Sequence, residues 1–336
     1  MRARSLITVL SLCVPLLALV NIAVGSVPIS LGEVLSALTG GGVDEVSRQI
    51  VLMSRLPQSL TAVACGAGLA VAGLEMQTLF GNPLAGPSVL GVSSAASLGV
   101  AVLVLLSGAM GFGLLSGFSL AGNTLLTLAA TLGALVAMGL IALLSTRLRD
   151  NVTLLVAGVL LGYISTAVVG VLKYFSSEED VHTYVIWGLG SFSRVTGGQV
   201  WVFVALMALL LPLSALLVKP LNILLLGEDY ARNLGLNVAR ARTLCVCSAG
   251  VLTAVCTAYC GPVMFLGLAV PHICRRVFRT ADHRTLLPAT AVCGALLALV
   301  CNLIARLPGL EGALPVNSVT ALIGAPVALR VILRRK

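Results

Sequence analysis

Residues 226–236 read Leu226-Gly227-Glu228-Asp229-Tyr230-Ala231-Arg232-Asn233-Leu234-Gly235-Leu236, a polar island between two long apolar runs. Glu228 and Asp229 would fall in the first turn of a short helix, where the positive end of the helix dipole favours carboxylates. Gly235 stands where a left-handed residue would end that helix. The island therefore predicts a short helix in water between two apolar segments.

The same residues predict two faces for that helix. Glu228 and Arg232 are four residues apart, so their side chains should meet on one face. Tyr230, Ala231 and Leu234 share another face, which would seat the helix in the groove of a partner protein. The plainer alternative is a solvated helix that only joins two apolar segments, because short amphipathic patterns are common.

Composition decides the class of protein. The chain has 336 residues, of which 58% are hydrophobic and 10% charged, and its mean hydropathy is +1.08. One soluble core cannot bury so much apolar surface, so the chain is predicted to be an integral membrane protein. The net charge of +9 does not indicate nucleic-acid binding, because the basic residues lie at the ends of apolar runs.

The predicted fold class is all-α, with about ten transmembrane helices, several of them short or broken. The predicted spans form a single domain over residues 1–336. They are residues 5–25, 58–79, 89–107, 120–145, 152–173, 198–218, 242–260, 263–279, 285–305 and 316–333.

The basic residues predict the orientation. With both termini in the cytoplasm, sixteen of the 21 Lys and Arg residues lie on the inside, among them Arg149, Arg334, Arg335 and Lys336. The five on the outside are Arg48, Arg55, Lys173, Arg194 and Arg306. This bias places the island in the cytoplasm. A cleaved signal peptide starting at Met1 is the alternative for the first span, but the apolar run from Leu6 to Val24 is longer than a typical signal core.

Two features mark the second span and the chain after it. Glu75 lies near the inner end of the span, where it is either part of a functional site or a snorkelling or hydrogen-bonded helix contact. Residues 81–87 contain two prolines and two glycines, which forbid a continuous helix. Broken backbone at membrane depth needs protein or a water-filled cavity around it, so this segment is a candidate wall of a pathway.

Metal and thiol chemistry is not indicated. His182 follows an acidic cluster but lacks the further ligands of a metal site, and the nine cysteines form no C-x-x-C pair. Membrane-embedded cysteine usually acts as a small apolar residue. Pro271-His272 next to Arg275 and Arg276 suggests either a proton relay or, more plainly, a structural kink with an interfacial histidine.

Several motifs together resemble one transporter family over nearly the whole chain. They are Arg55-Leu56-Pro57 with Arg306-Leu307-Pro308, Asn82-Pro83-Leu84-Ala85 with Pro87, Gly227-Glu228 through Leu234-Gly235, Phe265-Leu266-Gly267-Leu268 with Val270-Pro271-His272, Asp282-His283-Arg284, and Gly324-Ala325-Pro326. At these spacings the chain resembles the permease subunit of the type II ABC importers, which carry iron-siderophores, haem or cobalamin.

The resemblance implies partners and a location. It implies a bacterial inner-membrane protein that pairs with a second permease copy, two cytoplasmic ATPases and a periplasmic binding protein. ATP and Mg²⁺ would be bound by the ATPase, and this chain would hold no cofactor and catalyse no reaction. Its three lysines include none in a phosphate-binding G-x-x-x-x-G-K-[ST] loop, which agrees with that expectation.

The resemblance also implies three groups of site residues. The ATPase-coupling segment, about residues 226–240, would act through Gly227, Glu228, Asp229, Tyr230, Ala231, Arg232, Leu234 and Gly235. Binding-protein docking would use Arg55 and Arg306. The translocation path would include Asn82, Pro83, Leu84, Ala85, Pro87, Gly267 and Pro271. The chain departs from the family pattern at Gln58, where Arg is frequent, at Gly81, where a basic residue is usual, at Asn302, where Asp is usual, and at Glu75.

The function predicted first is import of an iron chelate, either a siderophore or haem. The alternative is cobalamin import by the same machinery. A transporter driven by an ion gradient is a rival from another class, but it would need paired intramembrane charges, and Glu75 is the only clear intramembrane carboxylate. An intramembrane enzyme would need a nucleophile and base at mid-depth, and neither is visible.

Overall fold

The structure is a computed structural model that describes residues 2–25, 27–106, 120–148, 150–307 and 313–333. Within these ranges the regular structure is helical and contains no strand. Met1, Arg149, Pro308 and residues 334–336, which carried some of the predictions above, lie outside the described residues.

Fifteen helices are described in these ranges, connected mostly by short turns. They are α1 Arg2–Ala23, α2 Leu31–Thr39, α3 Glu45–Gln49, α4 Leu56–Leu79, α5 Val92–Ala101, α6 Leu120–Arg147, α7 Asn151–Tyr174, α8 Glu178–Gly188, α9 Gly198–Ser214, α10 Val218–Leu224, α11 Glu228–Asn233, α12 Val238–Cys260, α13 Leu266–Phe278, α14 His283–Ala305 and α15 Val316–Leu333. Single turns of tighter or wider helix at Ile50–Arg55, Pro87–Leu90, Val102–Leu106, Phe192–Arg194 and Ala215–Leu217 extend or link them.

The predicted membrane spans correspond to ten of these helical segments. Seven helices in the described residues are long and apolar enough to cross a bilayer, and Val92–Leu106 and Val316–Arg330 are shorter apolar helices. The predicted eighth span is α13, which has only 13 residues and reaches about 20 Å at 1.5 Å per residue. The prediction of an all-α membrane protein with several short or broken spans is confirmed.

Helix α4 lies at the centre of the molecule. Almost all of its side chains from Pro57 to Leu79 are buried, and it packs against α14, α12, α13, α9 and α1. The close packing depends on small residues: a Cβ on Gly66 would lie 2.3 Å from the carbonyl oxygen of Gly294 on α14. Because no side chain fits in that space, glycine at both positions lets the two backbones approach closely.

The chain between α1 and α4 is more helical than predicted. Residues 40–44 join α2 to α3 as a short connection that starts with Gly40 at φ 80°. Ser30 and Glu33 cap α2 reciprocally, each side chain binding the backbone of the other. This capping-box pattern, Ser-x-x-Glu before apolar residues, was readable from the sequence.

Candidate coupling surface and transport path

The polar island forms the helix α11, as its sequence predicted. Glu228 and Asp229 occupy the first turn, and Arg232 Nη2 lies 3.3 Å from Glu228 Oε2. Gly235 adopts φ 82°, its N–H donates to Arg232 O at 2.9 Å, and the N–H of Leu236 donates to Ala231 O at 3.0 Å. This pair of bonds is the glycine-dependent helix end that the sequence predicted.

The three residues of the predicted apolar face of α11 differ in burial. Ala231 is fully buried against the rest of the chain, whereas Tyr230 and Leu234 are 59% and 55% exposed. The prediction that all three residues seat the helix in a partner is therefore corrected for Ala231, which packs the helix onto its own protein. Tyr230 and Leu234 remain available as a two-residue apolar surface for a partner.

A buried ion pair ties the start of α11 to the long helix α12. Arg242 is 2% exposed, and its Nη2 lies 3.0 Å from Glu228 Oε1. Its Nη1 donates to Leu148 O at 2.8 Å, in the turn between α6 and α7. Since a charge-assisted, nearly buried contact is stronger than an exposed one, a displacement of α11 would be passed to α12 and to this turn.

A second set of hydrogen bonds ties α10, the helix before the island, to the core. Asn222 Oδ1 accepts from the backbone N–H of His283 at 2.8 Å and lies 2.8 Å from its Nδ1. The other ring nitrogen of His283, Nε2, lies 2.8 Å from Thr78 Oγ1 at the inner end of α4. The island is thus connected on one side to α12 and on the other to α14 and α4.

Asp282 completes this second connection at the water-exposed surface. Its carboxylate accepts from the backbone N–H of Arg284 at 3.0 Å and from Asn222 Nδ2 at 2.6 Å. These hydrogen bonds stabilise the charged form and lower the pKa of Asp282 below its usual value, the bond from the Arg284 backbone having the larger effect and the bond from Asn222 the smaller. The carboxylate therefore stays ionised at neutral pH and fixes the orientation of the Asn222 amide.

The broken segment after α4 packs against α13. Leu84 N donates to Asn82 Oδ1 at 3.0 Å, which forms the turn, and His272 Nε2 lies 2.7 Å from Pro83 O. Arg275 Nη1 donates to Gln77 Oε1 at 2.5 Å. His272 and Arg275 therefore hold the broken segment and the end of α4 against α13.

Burial corrects part of the predicted translocation path. Ala85, Pro87, Gly267 and Pro271 are buried in packing within this chain. A Cβ on Gly267 would lie 2.5 Å from Pro87 Cδ, so these two residues fit each other and face no open space. Three residues of the predicted path, Asn82, Pro83 and Leu84, are at least partly exposed in this conformation, Leu84 most of all at 37%.

Glu75 is a helix contact and does not snorkel to the surface. It is fully buried, and its Oε1 accepts from Ser248 Oγ on α12 at 2.9 Å. Its Oε2 has no hydrogen-bond partner among the residues that the structure describes. Of the alternatives drawn from the sequence, the interhelical hydrogen bond describes this residue.

The two outer arginines converge, but only one is accessible. Arg55 is 2% exposed and donates to the carbonyl oxygens of Ile22 at 2.8 Å, Ala23 at 2.7 Å, and Val27, at the end of α1. Arg306 is half-buried, and the two guanidinium groups flank Gly25. The prediction that Arg55 docks a binding protein is corrected, because this residue is buried and its donors are used by the backbone at the end of α1.

Sequence reasoning missed the residues that connect the island to the core. Asn222 had a visible signal, since it is a polar side chain inside the otherwise apolar run 220–226. Arg242 had no such signal, because a basic residue at the start of an apolar run is common in membrane proteins. In the part of the chain that the structure describes, no group of three or more His, Cys, Asp or Glu side chains could hold a metal ion.

Comparisons with known proteins agree with this arrangement. The vitamin B12 import system permease proteins BtuC of Salmonella typhi and of Salmonella newport strain SL254 are each 38% identical to this chain over 325 residues, 97% of this chain and 94% of the relative. A solved metal-chelate type ABC transporter in an inward-facing conformation superposes with a TM-score of 0.84 and 29% identity, covering 98% of this chain and 99% of that chain.

The relatives extend over almost the whole length of the chain, so the likeness includes the island, the broken segment and α13. Residues 12–335 match the FecCD transport family. The chain is a permease subunit of a type II ABC importer and a multi-pass membrane protein. The chain belongs to the FecCD transport family.

Proposed function

We propose that this permease imports cobalamin, a cobalt chelate, in preference to an iron chelate. The observation that carries the proposal is the 38% identity to vitamin B12 permeases over 97% of the chain. The solved metal-chelate type transporter supports the same class of substrate at 29% identity. The sequence alone ranked an iron siderophore or haem first among the candidate substrates and cobalamin second. The proposal reverses that ranking.

The proposed partners are a second copy of this chain, two ATPases that bind ATP and Mg²⁺, and a periplasmic binding protein. Support for a second copy comes from α7, where Val152, Val156, Leu160 and Tyr163 are exposed at intervals of four and three residues. A continuous apolar stripe of this spacing suits a helix-helix interface in the membrane. The ATPase belongs on the exposed side of α11, around Tyr230 and Leu234, with both termini on that side.

Uptake by the reconstituted complex tests this function. The permease is placed in proteoliposomes with its ATPase and binding protein, and uptake of cyanocobalamin, a ferric siderophore and haem is compared. We expect ATP-dependent uptake of cyanocobalamin and at least tenfold less of the other two. Faster uptake of an iron chelate than of cyanocobalamin would make the iron chelate the preferred substrate. Uptake driven by a proton gradient without ATP would contradict the coupling to an ATPase.

A further inference from the structure

Helices α13 and α15 pack against each other and leave an open crevice of about 590 Å³ between their last turns. We call it the basic crevice. Arg275 and Arg276 lie in the last turn of α13, and Arg330 lies in the last turn of α15. The other lining residues are His272, Ile273, Val277 and Val327, and none of the lining residues that the structure describes is acidic.

The charge of the basic crevice is not neutralised within the described residues. The ion pairs in the described residues lie in or beside the island and not in the crevice. They join Arg232 to Glu228 and Asp229, and Arg242 to Glu228. Arg275 donates to Gln77 Oε1 at 2.5 Å, and this neutral amide fixes the guanidinium without cancelling its charge. Arg276 and Arg330 are exposed. Three guanidinium groups thus line one crevice without a carboxylate.

The floor of the basic crevice is apolar on the side of the membrane. Ile273 precedes Arg276 by three residues, and Val327 precedes Arg330 by three, so each apolar side chain lies about one turn deeper on the same side of its helix. Val277 and Leu329 beside it are 50% and 55% exposed. The basic groups therefore lie at the ends of the spans, above apolar surface that continues toward the bilayer centre.

We propose that the basic crevice binds the phosphate of an anionic phospholipid, with an acyl chain along Ile273 and Val327. Guanidinium groups bind phosphate oxygens through paired charge-assisted hydrogen bonds, and basic pockets between helices at the membrane surface suit anionic headgroups. A free phosphate ion would gain nothing from the apolar floor, whereas a phospholipid uses both parts of the crevice. The proposal goes beyond the transport function and does not depend on which chelate is carried.

Lipid binding to the purified, delipidated permease in detergent tests the proposal. Binding of dioleoyl phosphatidylglycerol, dioleoyl phosphatidylethanolamine and inorganic phosphate is measured by native mass spectrometry for the unchanged chain and for the double variant R276Q/R330Q. The matched control is R147Q/R284Q, which removes two exposed basic charges outside the crevice. We expect R276Q/R330Q to bind phosphatidylglycerol at least tenfold more weakly and the control to change by less than twofold.

Four results would contradict a lipid site in the basic crevice. Equal phosphatidylglycerol binding by both double variants, or no preference over phosphatidylethanolamine, would mean that the arginines only orient the spans in the membrane. Binding of inorganic phosphate as tight as that of phosphatidylglycerol would show a site for the free ion. A change in oligomeric state in R276Q/R330Q, with lipid affinity unchanged, would assign the crevice to contact between two copies. Each of these outcomes overturns the lipid site.

Discussion

Gln58 on α4 donates from Nε2 to Asn302 Oδ1 on α14 at 3.0 Å, and both residues are buried. Asn302 in turn donates to Asn21 Oδ1 on α1 at 2.9 Å. These are the two positions where the sequence departs from the Arg and Asp that the family pattern favours. The two departures are thus the two ends of one contact, which in this chain is a neutral amide pair.

This contact predicts that the two positions change together. Gln58→Arg alone, or Asn302→Asp alone, places an uncompensated charge in a buried site, which costs on the order of 3 kcal/mol of folding stability. The double change Gln58→Arg with Asn302→Asp pairs the charges and should recover most of that loss. Thermal unfolding of the detergent-solubilised permease measures all three variants. Additive losses in the double variant would show that the pair does not form.

Local patterns predicted the features that depend on a few neighbouring residues. The helix at 228–233, its Gly235 end and the break at 81–87 follow from turn residues and helix capping, and all three are present. The ten spans follow from runs of apolar residues. The capping box at Ser30 and Glu33 was equally local, so α2 was a missed signal and could have been predicted.

Features set by distant contacts were not predictable from one sequence. Arg55 binds carbonyl groups 28 to 33 residues earlier in the chain, so nothing near it indicates that it is buried. Ala231 turns inward because α11 packs onto the rest of the protein, a direction that helical spacing cannot give. Gln58 and Asn302 are 244 residues apart, and only their shared departure from the family pattern connects them.

Replacing Arg242, the buried arginine of α12 that pairs with Glu228 of the island, should uncouple transport from ATP hydrolysis. Arg242→Gln leaves Glu228 without its closer partner and Leu148 O without a donor, so α11 loses its link to α12. Loss of one partner from such a pair costs about 2–5 kcal/mol. We expect ATP-driven uptake to fall at least tenfold. The control Arg240→Gln changes an exposed arginine nearby and should retain uptake within twofold.

A charge on the exposed surface of α11 should block the ATPase without unfolding the permease. Leu234 is 55% exposed in this chain, so Leu234→Asp is tolerated by the fold. In a partner's groove the same carboxylate would be buried and unpaired, which costs several kcal/mol. We expect loss of ATPase binding in a pull-down and loss of uptake. Asn233→Asp adds the same charge one residue away and serves as the control; equal behaviour of the two would contradict docking through Leu234.

The two outer arginines should give different phenotypes. Arg306→Glu changes a half-buried residue beside the outer surface, so it should weaken association with the binding protein, more at low salt than at high salt. Arg55→Glu removes the donors that hold the end of α1, so it should lower the unfolding temperature. Arg48→Glu, at an exposed outer position, is the control for both. Association of Arg306→Glu that is unchanged at every salt concentration would make Arg306 a lipid anchor.

Glu75 should be dispensable for coupling in spite of its burial. Its Oε1 accepts one hydrogen bond from Ser248, and Glu75→Gln keeps an oxygen in that position while removing the charge. Within the described residues Oε2 accepts no hydrogen bond, so the amide nitrogen would break none. We therefore expect ATP-driven uptake by Glu75→Gln to remain within tenfold of the unchanged protein.

Comparing Glu75→Ala with Glu75→Gln separates the effect of the hydrogen bond from the effect of the carboxyl group. Glu75→Ala removes both the acceptor for Ser248 and the buried side-chain volume between α4 and α12, so it should lower the unfolding temperature more than Glu75→Gln does. Ser248→Ala removes the donor alone, so its unfolding temperature should lie between those of Glu75→Gln and Glu75→Ala. If instead Glu75→Gln assembles normally and uptake falls more than tenfold, equivalent to about 1.4 kcal/mol, the ionised carboxylate takes part in the transport cycle.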